Sequence, residues 1–429
     1  MKTARIGGWG LATAILGLFF LASRDALAPG AYIGAADEAG ELRQKALALN
    51  DITGDDPLDA QVKELVGDPT GTKKLLPVAV KMAQEKDQPF NFTGAIILAR
   101  AADQLKDTDS ALVLYRVCAS ESLRLRSADK IVQAYLRLSQ LLTQQKKYDE
   151  EIKLWQEVLE LKDAGGNLAG VKMLAFRQMI GAKALQGKID EARKLVEKLD
   201  KAAPGNWLTL DLKAQVERMA GKFEDAAKFW EEALDRIQKD ETIMDKEAKA
   251  EFVREIRLKL GNVYVDANQI DKSTQHLKTL LDQDPDDPGV NNDLGYIWAD
   301  HDMNLDEAEK MIRKALDQDR KRRKKDNPDL KPEDDKDNAA YLDSLGWVLF
   351  KKKKFQEAKE PMLKAIKEKD GKHVEIYDHL GEIHMALGEK ADAIAIWKEA
   401  LKLETEEPRE KEIKTKVQKK LNEAAGEKK

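Results

Sequence analysis

Residue types that commonly carry out catalysis are scarce in this 429-residue chain, which has five histidines and one cysteine. His379 and His384 flank Leu-Gly-Glu-Ile and lie five residues apart. A helical zinc motif needs a spacing of four, so these histidines are predicted to be surface and groove residues rather than ligands. The segment 67–73 resembles a phosphate-binding loop, but Thr72 stands where glycine is needed and no buried strand precedes it.

Other catalytic arrangements are absent from the sequence as well. It has no Gly-x-Ser-x-Gly elbow and no glycine-rich nucleotide fingerprint after a strand. Cys118 follows Leu114 and Tyr115 in a helical pattern, which predicts a small buried hydrophobic residue. The sequence therefore predicts a protein that is not an enzyme, with no cofactor and no metal site.

Four short phrases recur instead, each built around Leu-Gly. They are Leu258-Lys-Leu-Gly-Asn262, Asn292-Asp-Leu-Gly-Tyr296, Asp343-Ser-Leu-Gly-Trp347 and Asp378-His-Leu-Gly-Glu382. Gly261 and Gly295 are 34 residues apart and Gly346 and Gly381 are 35 apart, while the longer interval between them contains a charged insertion at 321–338. A fixed period of this kind indicates supersecondary units that stack on one another.

Each phrase is followed by a second apolar pattern. About twelve residues after each of the last three glycines comes a small residue, then an apolar or aromatic one, then another small one. The sets are Ala308, Ile312 and Ala315; Ala358, Met362 and Ala365; and Ala393, Trp397 and Ala400. Small residues at these sites would let two antiparallel helices approach closely. In this pattern and period the chain resembles the tetratricopeptide-repeat family over residues 91–405.

The fold class predicted from this resemblance is all-α. It is an α-solenoid of about eight tetratricopeptide helical hairpins with an N-terminal helical segment and a C-terminal capping helix. The predicted divisions are 29–90 for the N-terminal segment, 91–240 for four degenerate repeats, 254–405 for four clearer repeats, and 406–429 for the capping helix and charged tail. Aspartates that stand just before the second helices, Asp149, Asp190, Asp271 and Asp306, are expected to cap them.

The first 28 residues differ in kind from the rest. Lys2 and Arg5 precede an uncharged stretch at 6–23, and Ala28 suits the small-residue rule for signal cleavage. Pro29 would disfavour that cleavage, and the stretch is long enough to span a membrane if it is retained. The sequence predicts 1–28 to be a signal peptide or an N-terminal membrane anchor. The chain is then exported, periplasmic or membrane-anchored with its repeats outside the cytoplasm, and contacts the membrane only through 6–23.

The family resemblance also implies a binding surface, because first helices of successive repeats line a concave groove that binds extended peptides or partner helices. The corresponding positions here are Asp211, Gln215, Asn262, Asn292, Tyr296, Asp343, Trp347, Asp378 and Glu382. Asparagine side chains can both donate hydrogen bonds to a peptide backbone and accept them from it, and aromatic rings provide flat apolar anchors. The alternative for Tyr296 and Trp347 is packing against the next repeat.

One subgroup of the family binds chaperone C-terminal carboxylates through a cationic clamp. Asp343, Asp378 and Glu382 are acidic where that clamp would be needed, so the resemblance does not extend to it. An acidic groove favours a ligand with basic or neutral donor groups. A net charge of −5 likewise gives no electrostatic drive toward nucleic acid.

The basic run at 320–325 is followed by acidic residues, which indicates a solvated helix end and a loop of compensating charge. The alternative is a docking loop for a partner.

The leading hypothesis is a non-enzymatic scaffold of the bacterial envelope that binds a partner protein or peptide, similar to exported bacterial tetratricopeptide-repeat proteins. One alternative is an accessory subunit of an envelope enzyme that acts on polysaccharide or protein. A remote alternative is an enzyme with its active site in 37–90. The partner's identity and the oligomeric state stay open at this stage.

Overall fold

The computed structural model describes residues 29–162, 168–202, 204–241, 245–331, 334–405 and 408–426. Throughout these ranges the regular elements are helices and no strand occurs, which confirms the all-α prediction. No helix in the described ranges has both the length and the apolar character that a membrane span requires. The predicted signal or anchor at 1–28 lies outside the described residues.

The chain divides into two compact units, Met1–Ala175 and Phe176–Lys429. The first contains α1 (Pro29–Ala48), α2 (Asp55–Gly67), α3 (Pro69–Ala83), α4 (Phe92–Gln104), α5 (Thr108–Leu125), α6 (Ala128–Gln144) and α7 (Tyr148–Glu160). Helix α8 (Ala169–Leu185) crosses the division. The second contains α9 (Ile189–Ala202), α10 (Trp207–Met219), α11 (Phe223–Lys239), α12 (Lys246–Asp266), α13 (Ile270–Gln283), α14 (Pro288–Asp300), α15 (Leu305–Asp326), α16 (Ala339–Lys351), α17 (Phe355–Ala365), α18 (Val374–Ala386), α19 (Lys390–Lys402) and α20 (Pro408–Ala425).

Sixteen of these helices, α4 to α19, form eight consecutive hairpins, as the repeat pattern predicts. Each hairpin turn contains a residue with positive φ, which reverses the chain between its two helices. In chain order these residues are Lys106, Lys146, Gly187, Gly221, Asn268, Asp302, Lys353 and Gly388, and the turn before α15 has a second one, Asn304. Left-handed backbone is costly for lysine, so these turns are stabilised by the packing of the helices on either side.

The Leu-Gly glycines lie where the two helices of a hairpin touch. A Cβ atom built on Gly295 would stand 2.7 Å from Ile312 Cγ1 and 3.0 Å from the Ala308 carbonyl oxygen. The equivalent neighbours are Leu277 for Gly261, Met362 for Gly346 and Trp397 for Gly381. In each case the neighbour belongs to the second helix of the same hairpin, so the recurring glycine is required by close helix approach.

Helix starts differ between the two positions of a hairpin. First helices commonly begin with a side-chain cap: Asn206, Asp287 and Asn338 accept from backbone amides of α10, α14 and α16. The expected aspartate caps of the second helices are wrong. Asp149, Asp190, Asp271 and Asp306 are each the second residue of their helix, and α7, α13 and α15 have no side-chain cap bond. The left-handed turn residue shifts the helix start, so these carboxylates lie in the first turn, where they oppose the helix dipole instead of capping it. Asp190 and Asp306 also form ion pairs, with Arg193 and Lys352.

The last helix, α20, covers the end of the final hairpin. Ile413, Val417 and Leu421 pack with Trp397 and Ala400 in one buried cluster. Without α20 this apolar face of α19 would meet water, so the helix caps the array as predicted.

The charged insertion folds back on itself. The basic run continues α15 as helix to Asp326. Arg320 pairs with Asp337 at 2.5 Å, and Arg323 pairs with Asp335 at 2.9 Å. These pairs agree with the interpretation of compensating charge.

We expect Gly295→Ala to lower the free energy of unfolding by about 1–3 kcal/mol, because the new methyl group overpacks the contact with Ile312. Gly181→Ala is the matched control, since a Cβ there meets nothing within 4 Å. It lies inside α8 and should instead stabilise by about 0.5–1 kcal/mol. Urea denaturation followed by far-ultraviolet circular dichroism measures both, and an equal effect of the two substitutions would contradict the close-approach argument.

Candidate functional site

Four of the predicted groove residues meet in one pocket of the second unit. Asn262, Asn292, Tyr296 and Asp343 line a space of about 460 Å³. They belong to α12, α14 and α16, which are first helices of successive hairpins. Further lining residues come from α10, α12, α14, α16 and α18, and include Arg218, Asp266, Asp293, Asp300, Ala340 and Glu375.

A hydrogen bond from α14 to α18 spans the pocket. The Tyr296 hydroxyl donates to Glu375 Oε1 over 2.9 Å. Burial raises the pKa of Tyr296 well above its usual value, and the nearby carboxylates of Glu375, Asp343 and Asp300 raise it further. Tyr296 therefore stays protonated as a donor, and three carboxylates act on its hydroxyl.

Trp347 and His379 form a stacked pair beside the pocket, with ring centroids 3.9 Å apart. Trp347 Nε1 donates to Asp300 Oδ1 over 3.0 Å, and His379 Nδ1 donates to Asp343 Oδ1 over 2.9 Å. Burial alone would lower the pKa of His379, but the Asp343 carboxylate reverses this and raises it above the usual value. Trp347 thus packs on the next repeat, and His379 is buried rather than on the surface.

Two acceptors at the pocket are less well satisfied by the described residues: the side-chain oxygen of Asn292 and the carboxylate of Asp293. Asn292 is only 7% exposed, and its Oδ1 atom accepts no hydrogen bond from any described residue. Asp293 is partly buried and has no ion-pair partner in the described ranges. Burial raises the pKa of Asp293 to about 6, and the Asp287 charge reinforces this shift, while a hydrogen bond from the Asn292 side chain and the Arg254 charge oppose it. A buried carboxylate without an ion pair and an amide oxygen without a donor both cost free energy, so they favour a donor from outside.

Two predicted groove residues instead have intramolecular partners at the start of the second unit. Asp211 Oδ1 accepts from Trp230 Nε1 and from Lys259 Nζ, each over 2.8 Å. Gln215 Nε2 donates to Asp211 Oδ2 over 2.7 Å. Asp211 thus joins three helices, α10, α11 and α12, and its bonds hold the repeats together.

The same arrangement recurs at the end of the array. Asp378 Oδ1 accepts from Trp397 Nε1 over 3.1 Å, and Lys420 Nζ lies 2.8 Å from Asp378 Oδ2. Lys420 also bonds Glu382. Burial raises the pKa of Asp378, which Lys420 opposes. Lys420 of α20 thus plays the part at α18 and α19 that Lys259 of α12 plays at α10 and α11. The predicted groove residues Asp378 and Glu382 are therefore bonded to the capping helix.

One cluster among the described residues has three potential metal ligands close together, His384, Glu389 and Asp392. Glu389 Oε2 already accepts from His384 Nδ1 and from Lys359 Nζ, both over 2.6 Å. Glu389 is thus already paired with a cation, so this cluster is an ion-pair network.

Asp293, Asp300 and Glu375 were missed by the sequence reasoning. Asp300 lies one helical turn after Tyr296, and Glu375 lies one turn before His379. Their spacing places them on the same helix faces as the predicted residues, so helical periodicity could have found them. Asp293 lies beside a predicted position, and its lack of a partner could be learned only from the packed structure.

Comparison with known proteins identifies the class. Two models of the tetratricopeptide repeat match residues 258–323 and 374–406. The chain is therefore a tetratricopeptide-repeat protein, as the Leu-Gly phrases predict. No curated protein matches it at a significant level.

Several solved structures are similar to the chain. A tetratricopeptide-repeat protein from Parabacteroides merdae shares 14% identity over 67% of this chain and 98% of its own, with a TM-score of 0.45. A thermophilic one from Thermus thermophilus shares 17% over 50% and 98%, with a TM-score of 0.36. The protein MamA shares 19% over 49% and 94%, with a TM-score of 0.31.

The raised pKa of Asp293 makes stability depend on pH. The carboxyl group ionises near 3.8 in the unfolded chain and near 6 in the folded one, so the folded state binds more protons in between. Stability should therefore fall as pH rises across this window. Asp293→Asn removes this loss and should stabilise by on the order of 1–3 kcal/mol above the window.

Urea unfolding at about pH 4 and about pH 7.5 tests this, with Asp282→Asn as the control. Asp282 is an exposed carboxylate on α13, outside the pocket. The assignment is wrong if Asp293→Asn runs parallel to the wild type at both pH values.

Proposed function

We propose that this protein is a non-enzymatic scaffold, exported or membrane-anchored, that binds a partner protein or peptide in the groove of its second unit. Tetratricopeptide repeats support protein interaction in general. The observation that carries the proposal is the pocket in which Asn262, Asn292, Tyr296 and Asp343 converge. Among the described residues, Asn292 Oδ1 has no donor there and Asp293 has no ion pair, which reduces stability unless a ligand supplies them.

The surroundings of the pocket also suit a peptide-like ligand. Asn262 and Ala340 are exposed at its edge, while Tyr296 and Trp347 are fixed by hydrogen bonds to Glu375 and Asp300. A surface held in place before binding loses little conformational entropy when the ligand arrives. The aromatic residues thus shape the groove more than they anchor the ligand.

A block of the pocket should abolish partner binding. Ala340→Trp places a large side chain at the exposed edge without removing any of the hydrogen bonds described above. With a photo-crosslinking amino acid at Asn262 of the tagged full-length chain, we expect one defined partner in intact cells. Crosslinking should be lost with Ala340→Trp because the ligand's site is filled.

Asp282→Trp is the matched control, since it adds the same bulk to exposed α13. An unchanged partner in Ala340→Trp would move binding away from the pocket. A catalytic chain crosslinked at Asn262 would favour the accessory-subunit alternative.

The export part of the proposal is supported by Lys2, Arg5 and the uncharged stretch at 6–23. The test is a fusion of the full chain to a C-terminal reporter enzyme that functions only outside the cytoplasm. We expect this fusion to show reporter activity. Leu16→Arg should abolish this activity, because a charge in the apolar stretch opposes membrane insertion. Mass spectrometry of the N-terminus separates a cleaved signal from a retained anchor, and reporter activity unaffected by Leu16→Arg would refute the export signal.

A further inference from the structure

We propose that the pocket binds a cationic side chain, arginine or lysine, that projects from the partner's docked segment. This inference rests on the proposed groove function and specifies its ligand chemistry. It starts from two acceptors on α14: Asn292 Oδ1, buried without a donor among the described residues, and the Asp293 carboxylate, partly buried and without an ion pair among them. Both line the same space.

The charge of the pocket is negative after its internal pairs are accounted for. Asp266 is neutralised by Arg218 at 2.9 Å. Asp343 is bonded to His379 at 2.9 Å. Of the other lining carboxylates, Asp300 accepts a hydrogen bond from Trp347 and Glu375 accepts one from Tyr296. Asp293 forms no ion pair with any described residue, and Arg254 acts on it only through a longer-range attraction. Asp293 is therefore the carboxylate left for the ligand.

Donor chemistry identifies the ligand class. An amide oxygen and a carboxylate both accept hydrogen bonds, so the occupant must donate at least two and carry positive charge to neutralise Asp293. Arginine and lysine side chains meet both conditions. A carboxylate or phosphate group would instead be repelled by Asp293 and the other carboxylates that line the pocket.

The walls fit the apolar part of such a side chain. Val265, Ile297 and Ala340 line the pocket beside the Tyr296 ring. Long cationic side chains bury their methylene groups on apolar surface while the charged end reaches polar partners. The combination of an apolar wall and an acidic end matches this shape.

A metal ion is a poorer match. Among the described residues, the donor atoms that come within 4.8 Å of one another in a group of three lie at His384, Glu389 and Asp392, away from this pocket. The described donor atoms of the pocket therefore form no such group of three. A side chain with several N–H donors needs no such convergence.

The test uses the full-length protein and blocked heptapeptides of alanine with one central residue: arginine, lysine, citrulline or norleucine. Citrulline keeps the shape of arginine and removes its charge. We expect arginine or lysine to bind about tenfold tighter than citrulline or norleucine, measured by NMR titration of the peptides. Asp293→Asn should reduce this preference about tenfold, while Asp282→Asn leaves it unchanged.

The outcomes separate this inference from the groove function. Equal binding of arginine and citrulline peptides, no binding of either cationic peptide, or an unchanged preference in Asp293→Asn would each overturn it. Mg²⁺ or Ca²⁺ displacing the arginine peptide from the wild type, but not binding to Asp293→Asn, would show a metal site instead. If these tests fail while Ala340→Trp still abolishes crosslinking in cells, the groove binds a partner by other chemistry. If both fail, the proposed function is wrong. Loss of fold cannot explain weaker binding of the cationic peptides by Asp293→Asn, because that variant is expected to be more stable than the wild type. Its unfolding curve checks this.

Discussion

The close approach of two helices inside each hairpin is the constraint on which the rest of this structure depends. At Gly295 there is no room for a methyl group against Ile312 and the Ala308 backbone. Contact at this distance fixes how the first helix lies on the second, and so which of its faces turns away toward the next first helix. The pocket between α12, α14, α16 and α18 is a consequence of that orientation.

The same packing explains why several acidic groove residues are structural. A tryptophan on the second helix fills the space beside the small residues, but burial leaves its indole N–H in need of an acceptor. Asp211 accepts from Trp230, and Asp378 accepts from Trp397, and the partners are 19 positions apart in both pairs. Each carboxylate then needs a cation, which Lys259 or Lys420 supplies. These carboxylates, which were predicted to face the groove, thus accept hydrogen bonds from buried tryptophans of the core.

Much of the fold could be predicted from the sequence because helix periodicity and the glycine phrases are local signals. They gave the eight hairpins and the cap made by Ile413, Val417 and Leu421. The starts of the second helices were predicted wrongly. Their position depends on the left-handed turn residue, which can be lysine, as at Lys146, or glycine, asparagine or aspartate, so the sequence does not mark it. The site was harder still. Whether Asp343 is free depends on where His379 lies, and that is set by the packing of one repeat against the next.

The contrast between Asp378 and Asp293 shows what an unpaired carboxylate means in this array. Both are acids on first helices and burial raises the pKa of both. Asp378 is paired with Lys420 from a helix of its own chain, whereas Asp293 faces the pocket with an unpaired amide oxygen beside it. A repeat protein could remove the cost at Asp293 with a neutral residue, since Asp293 forms no ion pair among the described residues. A cationic ligand would pair with the Asp293 carboxylate in the way that Lys420 pairs with Asp378.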